Sequence, residues 1–460
     1  MEAIASFLEF FWGTPLMVLM VGIGLFLTIR AGFFQFLHPR YIYQKTIGSI
    51  LGKNKLKLDG AEGNMTSFQA ISAVLSGTVG SGNIAGVASA IAIGGPGSVF
   101  WMWVISIFGM MTKMVEVTLS VHFREKEEGG EFHGGPMYYI KKGLGKNWTP
   151  LAMLYAIALL ILVITDATFV QPNTMASALN SAFGLPPLAV GIVCVIVMVI
   201  VCIGGIGQIG KFCGFLAAPM CVIYIIGALG VVLFYIKDVP AVFISIIQYA
   251  FAPAPAIGGF TGATIAMAMS RGASRGIFSN EAGMGTATTV HATARTDHPA
   301  RQGMWGVVEV FIDTIIICNL TAFSILLSGE WFGMDGLTGA PLTFAAFKSF
   351  WGPGGAIIAG ICVALFCFSS TLGWFVEFRT AIVYIFGVAS FKFLRWLYFV
   401  PPIIGCMMEI ESVWLMADMA TGFLVIPNMI ALAFLSPVFI KLYKDFREKD
   451  KLGKISWPQI

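Results

Sequence analysis

Charged residues are scarce in this chain of 460 residues. Asp, Glu, Lys and Arg together make up 11% of the sequence, and apolar residues make up 57%. Soluble globular proteins carry about 25% charged residues, because their surfaces face water. The composition therefore excludes an ordinary soluble protein and predicts an all-α polytopic membrane protein built as one helical bundle.

Motifs of a membrane-embedded enzyme are missing as well. The five histidines lie in predicted loops or at span ends, and neither HExxH nor paired intramembrane aspartates occur. The eight cysteines fall in apolar segments without CxxC spacing, which argues against disulfides and metal sites. A channel would need a continuous polar pore or a repeated filter sequence. We therefore expect no enzyme and no cofactor, and we keep channel and membrane enzyme as the alternative classes.

Eleven apolar segments are long enough to cross a bilayer. They lie near residues 7–29, 67–94, 98–121, 150–182, 187–206, 212–236, 260–290, 303–328, 354–385, 393–408 and 413–440. The first residues lack the basic start and cleavage site of a signal peptide, so the first segment is expected to be a retained helix. Two further apolar stretches, 240–257 and 337–350, are predicted to be short external elements.

Lysine and arginine are concentrated on one side of the predicted spans. The clusters are Arg30, Arg40, Lys45, Lys53, Lys55 and Lys57 after the first span, Arg124, Lys126, Lys141, Lys142 and Lys146 after the third, and groups within 295–301, 379–395 and 441–454. The other side offers Lys237 and Lys348. The positive-inside rule then predicts a plasma-membrane protein with its amino terminus outside and its carboxy terminus cytoplasmic. Because the clusters flank spans, no nucleic-acid partner is expected.

The ten spans after the first divide into two sets of five. Residues 1–63 would form an N-terminal helix and a basic cytoplasmic loop, 64–239 a first repeat, 240–440 a second repeat, and 441–460 a basic cytoplasmic tail. Since five is odd, the two repeats would enter the membrane in opposite directions. The predicted fold is one extra N-terminal helix plus a 5+5 inverted repeat with discontinuous first helices.

Each predicted repeat opens with an interrupted helix. In the first, Gly77, Gly80 and Gly82 are mixed with Ser, Thr and Asn inside an apolar run. In the second, the polar stretch 270–283 interrupts the run. Backbone groups freed inside a bilayer cost several kcal/mol each unless they are paired. Paired broken helices therefore indicate a transporter with a midplane site, although glycines also allow close helix packing.

Two motifs resemble those of the alanine or glycine:cation symporter family, also called the sodium:alanine symporter family. They are GGPGSVFWMW at 94–103, with Ser98 where Ala or Gly is usual, and FSNEAGMG at 278–285. In addition, VGSGN at 79–83 is similar to the unwound first core helix of leucine transporters. The resemblance covers nearly the whole chain and implies the inverted-repeat fold of those transporters. It also implies import of small neutral amino acids, alanine and glycine, coupled to sodium by alternating access.

The resemblance and the helix break together give a set of candidate residues. The substrate candidates are Gly77, Thr78, Gly80, Ser81, Gly82, Asn83, Gln171, Phe278, Ser279, Asn280, Thr371 and Trp374. The amides of Ser81 and Gly82 would receive the substrate carboxylate. Gln171 could pair with the zwitterion or make an interhelical hydrogen bond, and Trp374 could border the pocket or only pack. Asp166, five residues before Gln171, is expected to point elsewhere.

A sodium site is implied beside the first break. Carbonyls of Ser76 and Val79 would face the ion, completed either by Ser369 with Ser370 or by Ser370 with Thr371. Those hydroxyls could instead bond to the preceding helical turn. Proton-driven relatives can carry a lysine in the sixth span, and residues 213–235 contain none. Sodium is therefore the expected coupling ion, and a proton-coupled transporter of the same fold is the alternative. The other expected partner is the lipid bilayer; no obligate protein partner is evident.

Several ionisable residues lie within predicted spans, where they are functional hypotheses by default. Lys113 and Glu116 are expected to pair with each other. Arg271, Arg275 and Glu281 are expected to form a structural or gating ion pair beside the second break. Four more have no partner that the sequence assigns, and they are Glu309, Asp313, Glu377 and Asp418.

Overall fold

The computed structural model describes residue 12 and residues 14–51, 62–127, 130–256, 260–332 and 336–453. The start of the predicted first span, and residue 257 of one predicted external stretch, lie outside these residues. The described chain is almost entirely helical, as the composition predicted. Two pairs of two-residue strands complete it.

The helices before the second interruption are α1 Thr14–Arg30, α2 Phe34–Leu37, α3 Pro39–Lys45, α4 Ile47–Leu51, α5 Ser67–Thr78, α6 Val87–Gly94, α7 Gly97–His122, α8 Pro136–Leu144, α9 Thr149–Leu162, α10 Gln171–Phe183, α11 Pro187–Ile203, α12 Ile206–Phe234, α13 Val239–Phe251 and α14 Ile265–Asn280. Those after it are α15 Thr288–Ala292, α16 Pro299–Val310, α17 Asn319–Ser328, α18 Gly339–Trp351, α19 Pro353–Gly373, α20 Phe375–Phe386, α21 Val388–Leu394, α22 Pro401–Met407 and α23 Ile410–Lys451.

Three segments are π-helical, and they are Gly82–Gly86 before α6, Val163–Val170 between α9 and α10, and Phe311–Cys318 between α16 and α17. Short 3-10 turns cover Lys146–Trp148, Glu330–Phe332 and Arg395–Tyr398. The strands are β1 Met65–Thr66, β2 Glu125–Lys126, β3 Phe132–His133 and β4 Ala294–Arg295. β1 pairs in parallel with β4, and β2 pairs antiparallel with β3. The β1–β4 pair ties the segment before the first break to the segment after the second.

Six described helices are long and apolar enough to cross a membrane, and a bent pair adds a seventh. The six are Gly97–His122, Lys146–Phe183, Ile206–Phe234, Pro299–Ser328, Pro353–Phe386 and Ile410–Lys451. This chain is therefore a multi-pass membrane protein, while the count of eleven spans stays a prediction. The predicted span at 393–408 is not one helix, because α21, a 3-10 turn and α22 divide it. Pro401 and Pro402 begin α22, since proline cannot donate to a preceding turn.

The first predicted break is confirmed. α5 begins with a capping box between Thr66 and Gln69 and ends where Val79 turns to extended geometry. The helix resumes at Gly82, and its two halves are bent by 46°. Residues 79–81 thus interrupt the helical hydrogen-bond pattern in the interior of the bundle, and all three residues are buried.

The second break lies further along the chain than predicted. Residues 270–280 are helical within α14, and Glu281, whose φ is 55°, caps the end of this helix. The glycines of α14 serve packing instead of a break. A Cβ added at Gly272 would lie 2.2 Å from the Ser98 carbonyl oxygen of α7. Small residues let helix backbones approach in this way inside membranes.

The two predicted external stretches both contain helices, α13 and α18. α13 packs on α7, and α18 packs on α19 and on the π-helical turn after the first break. α7 lies centrally in the bundle. Most of its residues are buried, and it contacts α1, α14 and α16. The two broken helices therefore meet within one core.

His298 caps the start of α16 outside the spans. Its Nδ1 accepts from the Ala300 amide at 3.1 Å, and its Nε2 lies 3.1 Å from Asp445. Burial lowers the pKa of His298 to about 4, although Asp445 acts to raise it. The His298 ring is thus neutral in the folded protein, because a proton on Nδ1 would abolish the hydrogen bond from the Ala300 amide.

We expect acid to destabilise the protein through His298. Its folded pKa lies below the ordinary value of about 6.5, so its contribution is present above that value and is lost as the pH falls toward 4. The loss at pH 5 is about 2 kcal/mol. In His298→Asn, which retains a capping oxygen, the drop in melting temperature between pH 7 and pH 5 should shrink. Equal drops in both proteins would contradict this assignment.

Candidate functional site

The site is built around two backbone amides at the first break. The Gly80 amide donates to Asn83 Oδ1 at 2.9 Å, and the Ser81 amide donates to Gln171 Oε1 at 3.0 Å. Both acceptors are buried side-chain amides of the protein. The Ser81 hydroxyl is also buried and has no hydrogen-bond partner among the described residues. The break thus presents donors suited to an anion.

Asn83 is oriented by Asp313, which the sequence left without a partner. Asn83 Nδ2 donates to Asp313 Oδ1, and the Ser279 hydroxyl donates to Asp313 Oδ2 at 2.8 Å. The Thr314 hydroxyl, 3.0 Å from the same oxygen, is a third donor. Asp313 is fully buried, and its carboxylate joins the first break to Ser279 at the end of α14.

Gln171 is oriented by Asp166, and our prediction that Asp166 points elsewhere is wrong. Gln171 Nε2 donates to Asp166 Oδ1 at 2.9 Å. The prediction assumed an α-helix, in which residues five apart do not share a face. Here residues 163–170 are π-helical, and a π-helix bonds residues five apart. The Asp166 carboxylate is therefore within hydrogen-bonding distance of the Gln171 carboxamide.

Two hydroxyls of α19 face the end of α5. The Ser369 hydroxyl lies 3.2 Å from the Ser76 carbonyl oxygen and 3.0 Å from the Phe366 carbonyl oxygen of its own helix. The Ser370 hydroxyl donates to the Gly77 carbonyl at 2.5 Å. Gly373 permits this approach, since a Cβ there would lie 3.2 Å from the Gly77 Cα. Carbonyls and hydroxyls converge in this place, and such oxygen ligands suit a hard cation.

Two predicted hydroxyls turn away from the break. Thr371 donates to the Cys367 carbonyl at 2.9 Å, and Thr78 donates to the Val74 carbonyl at 3.1 Å. Both bonds run to the preceding turn of their own helix. The pair of hydroxyls that faces α5 is therefore Ser369 with Ser370, and Thr371 belongs to the other register.

The remaining candidates lie along the second broken helix and beyond α19. A Cβ on Gly82 would lie 3.1 Å from a Phe278 ring carbon, so the first break contacts the helix that precedes the second. Phe278 packs on Trp414, with ring centroids 4.9 Å apart. Asn280 donates to Thr314 at 3.1 Å. Trp374 is buried one turn after Ser370, and its amide donates to the Ser370 carbonyl at 3.0 Å; a border role for its ring stays a prediction.

The buried ion pairs differ from those expected. Lys113 lies 3.0 Å from Glu309 on α16 and does not pair with Glu116, because residues three apart on α7 also meet side chains of neighbouring helices. Arg275 binds Asp418 through two bonds, at 2.8 and 3.0 Å, and does not pair with Glu281.

Among the described residues, one group of His, Cys, Asp or Glu side chains has its possible metal-ligand atoms within 4.8 Å of one another, namely Glu127, Glu131 and His133. Arg379 forms ion pairs with both glutamates. Its guanidinium is thus the cation that these carboxylates already hold.

A large apolar cavity lies away from these polar groups. It measures about 350 Å³ and is lined by α10, α11 and α19, with Met175, Val190, Cys194 and Phe368 among its walls. Its surface is entirely apolar. A zwitterion would lose its hydration there without a hydrogen-bonding partner, so the polar site at the break is the better candidate.

A sequence model of the sodium:alanine symporter family matches residues 1–458. The chain belongs to the sodium:alanine symporter family. A member of it from Methanococcus maripaludis, the sodium/alanine symporter AgcS, is 37% identical, with 96% of each chain covered. The uncharacterized transporter YflA of Bacillus subtilis is 40% identical, covering 95% of this chain and 92% of that one. As a member of this family, the protein is a membrane transporter and not an enzyme.

Among solved structures, a manganese transporter from Eremococcus coleocola resembles this member of the sodium:alanine symporter family in fold. The TM-score is 0.52 at 12% identity, and 84% of this chain and 83% of that chain are covered. At this identity the likeness concerns the helical fold alone.

Proposed function

We propose that this protein imports small neutral amino acids, alanine and glycine first, together with sodium by alternating access. The observation that carries the proposal is the convergence at residues 76–83. Backbone amides of the break lie beside a carboxamide, and the hydroxyls of Ser369 and Ser370 lie on the carbonyls of Ser76 and Gly77. One region thus offers donors for a carboxylate and oxygens for a cation.

Gln171 stands where the substrate would bind. Its Oε1 accepts from the Ser81 amide, and a carboxylate oxygen can make the same bond. In the proposed binding step the substrate carboxylate takes the Ser81 amide, joined by the Gly82 amide. The Gln171 carbonyl oxygen is then free to accept from the substrate ammonium. Each end of the zwitterion therefore receives a partner.

The ion site favours sodium over a proton. Its proposed ligands are the carbonyls of Ser76 and Val79 and the hydroxyls of Ser369 and Ser370, all of them neutral. The neighbouring side chain of α12 is Cys213, whose Sγ lies 3.9 Å from the Ser369 carbonyl. Neutral oxygens bind a hard cation without titrating.

The proposed architecture is an N-terminal helix followed by two inverted repeats of five spans, at 64–239 and 240–440. The order of elements supports it. In each half a broken helix is followed by a long helix and then by a shorter one, α8 in the first half and α18 in the second. The charge pattern supports an outside amino terminus and a cytoplasmic carboxy terminus.

Radiolabelled alanine uptake into proteoliposomes tests the proposed function. We expect uptake with an inward sodium gradient and none with an equal potassium gradient. Unlabelled glycine should compete strongly and glutamine weakly, because the proposed pocket is small. Uptake that follows a pH gradient without sodium would show that the proton is the coupling ion, and it would leave the proposed substrate unchanged. No uptake by folded protein under either gradient would overturn the proposal.

We expect Ser370→Ala to weaken sodium coupling. The change removes one oxygen ligand and leaves the Gly77 carbonyl without its donor, so half-maximal uptake should need roughly tenfold more sodium, equivalent to about 1.4 kcal/mol. Ser390→Ala is the matched control, since that exposed hydroxyl bonds only to the Phe386 carbonyl. A shift in Thr371→Val and none in Ser370→Ala would favour the other register.

A further inference from the structure

Four glutamates are buried together around one lysine near the second break. Glu116, Glu281, Glu309 and Glu377 are 0–4% exposed, and Lys113 is fully buried. Lys113 interacts electrostatically with the first three, and Glu377 interacts with both Glu281 and Lys113. The five side chains come from α7, α16, α20 and the loop after α14. One ammonium cannot balance four carboxylates.

Glu309 has a partner on each of its carboxyl oxygens. One oxygen lies 3.0 Å from Lys113 Nζ, and the other lies 3.1 Å from His291 Nε2. Gln302 Nε2 in turn lies 2.9 Å from His291 Nδ1, so the histidine links Glu309 to a second buried side chain.

Glu116 and Glu281 each accept two hydrogen bonds on one carboxyl oxygen. Glu116 accepts from the Gly283 amide at 3.0 Å and from Asn428 Nδ2. Glu281 accepts from the Ala287 amide at 3.1 Å and from a threonine hydroxyl of the same loop. Backbone amides cannot reverse their role, so these accepting oxygens carry no proton while the bonds persist. The other oxygen of Glu116, Oε2, is buried without a hydrogen-bond partner among the described residues. Tyr139 and Tyr155 also face Glu116 electrostatically.

Glu377 differs from these three because, among the described residues, no basic side chain forms a salt bridge with it and no amide of another residue donates to it. Its Oε2 is buried without a partner among the described residues. Apart from its own backbone amide, its hydrogen-bonding neighbour is the Thr289 hydroxyl. That hydroxyl donates to the Thr286 carbonyl at 3.0 Å, which leaves its oxygen as an acceptor. A Glu377 carboxyl that carries a proton can donate to that oxygen.

A proton fits this place better than a metal cation. A second cation would lie near the Lys113 ammonium and would need several oxygen ligands, whereas three of the carboxylates are already engaged. A proton on a carboxyl needs no further space. It also removes the charge whose burial has the least compensation.

We propose that Glu377 is a proton-binding site of this transporter, occupied in the present conformation and emptied when the surrounding helices separate. Glu377 is on α20, which continues from the α19 segment carrying Ser369 and Ser370. Its neighbour Thr289 is on α15, directly after the second break. Any movement of α20 away from α15 admits water to Oε2, and water favours ionisation. The site goes beyond the proposed function and depends on it only for the transport measurement below.

Infrared spectroscopy of the purified protein tests the bound proton without substrate. The wild type should show a carboxylic-acid carbonyl band that Glu377→Gln lacks and that the matched control Glu409→Gln, an exposed site, retains. The band should also weaken when sodium and alanine are added or when the pH is raised. Identical carboxylic-acid bands in wild type and Glu377→Gln would overturn the proposal, and so would a band that neither ligand nor pH changes.

Transport assays test whether Glu377 releases and rebinds its proton during uptake. Sodium-driven alanine uptake by the wild type should fall with rising pH, by at most tenfold per pH unit for one proton. Glu377→Gln mimics the protonated form, so it should remain active with a flat profile. A folded but inactive Glu377→Gln, or an unchanged pH profile, would overturn the role of the proton. If the wild type takes up no alanine, the proposed function fails, and the infrared result still decides the site.

Discussion

Gly80→Leu should reduce alanine uptake at least 100-fold, equivalent to about 2.7 kcal/mol or more. A Cβ alone at this position would lie 2.9 Å from Gln171 Oε1 and 3.1 Å from the Ser370 hydroxyl. The rest of a leucine side chain would fill the space beside the Ser81 amide. It would also displace the carboxamide that we expect to receive the ammonium.

The measurement is alanine binding by calorimetry together with uptake at saturating sodium. Gly22→Leu in α1 is the matched control, because a Cβ there meets no atom within 4 Å and the residue is exposed. It should bind and transport as the wild type does. Normal alanine affinity in Gly80→Leu would place the substrate elsewhere in the protein.

Asp313→Asn should be nearly as damaging, with uptake lowered roughly 10- to 100-fold. The carboxylate accepts from Asn83, Ser279 and Thr314. An asparagine presents an NH2 group to at least one of these donors, and each buried group left unpaired costs about 1–3 kcal/mol. Asn83 would then lose the orientation in which it accepts from Gly80.

Uptake kinetics and melting temperature should be measured together for this variant. Asp238→Asn is the control, since Asp238 is exposed at the start of α13. We expect the maximal rate and the alanine affinity of Asp313→Asn both to fall while the protein stays folded. Unchanged kinetics in a folded variant would show that the carboxylate has no part in arranging the break.

The first break could be predicted from sequence because its signal is local. Helix packing would explain the three glycines, but not the hydroxyl and amide side chains mixed with them in the middle of an apolar run. Ser370 and Gln171 could be named for a similar reason, since polar groups are rare in spans. Their partners could not be assigned, because Asp313 is 230 residues from Asn83 in the chain and no local pattern reports such a contact.

The errors arose where one residue pattern fits two structures. The glycines of α14 look like a break but allow contact with α7. Asp166 was set aside because α-helical spacing was assumed, and nothing in the sequence marks residues 163–170 as π-helical. Lys113 and Glu116 have the spacing of an ion pair, yet Lys113 lies beside a carboxylate of another helix. Packing between helices decided the first and third of these cases, and the local type of helix decided the second.

The internal bond from the Ser81 amide to Gln171 bears on the half of the cycle in which no cargo is carried. A carrier must return empty, and an amide left bare in a closed interior would cost several kcal/mol. In the proposed cycle, the Gln171 carbonyl oxygen would pair this amide in the empty, closed protein and so avoid that penalty. A solute would have to displace Gln171 from the Ser81 amide in order to bind. A solute that pairs only weakly with the amide would therefore not be taken up.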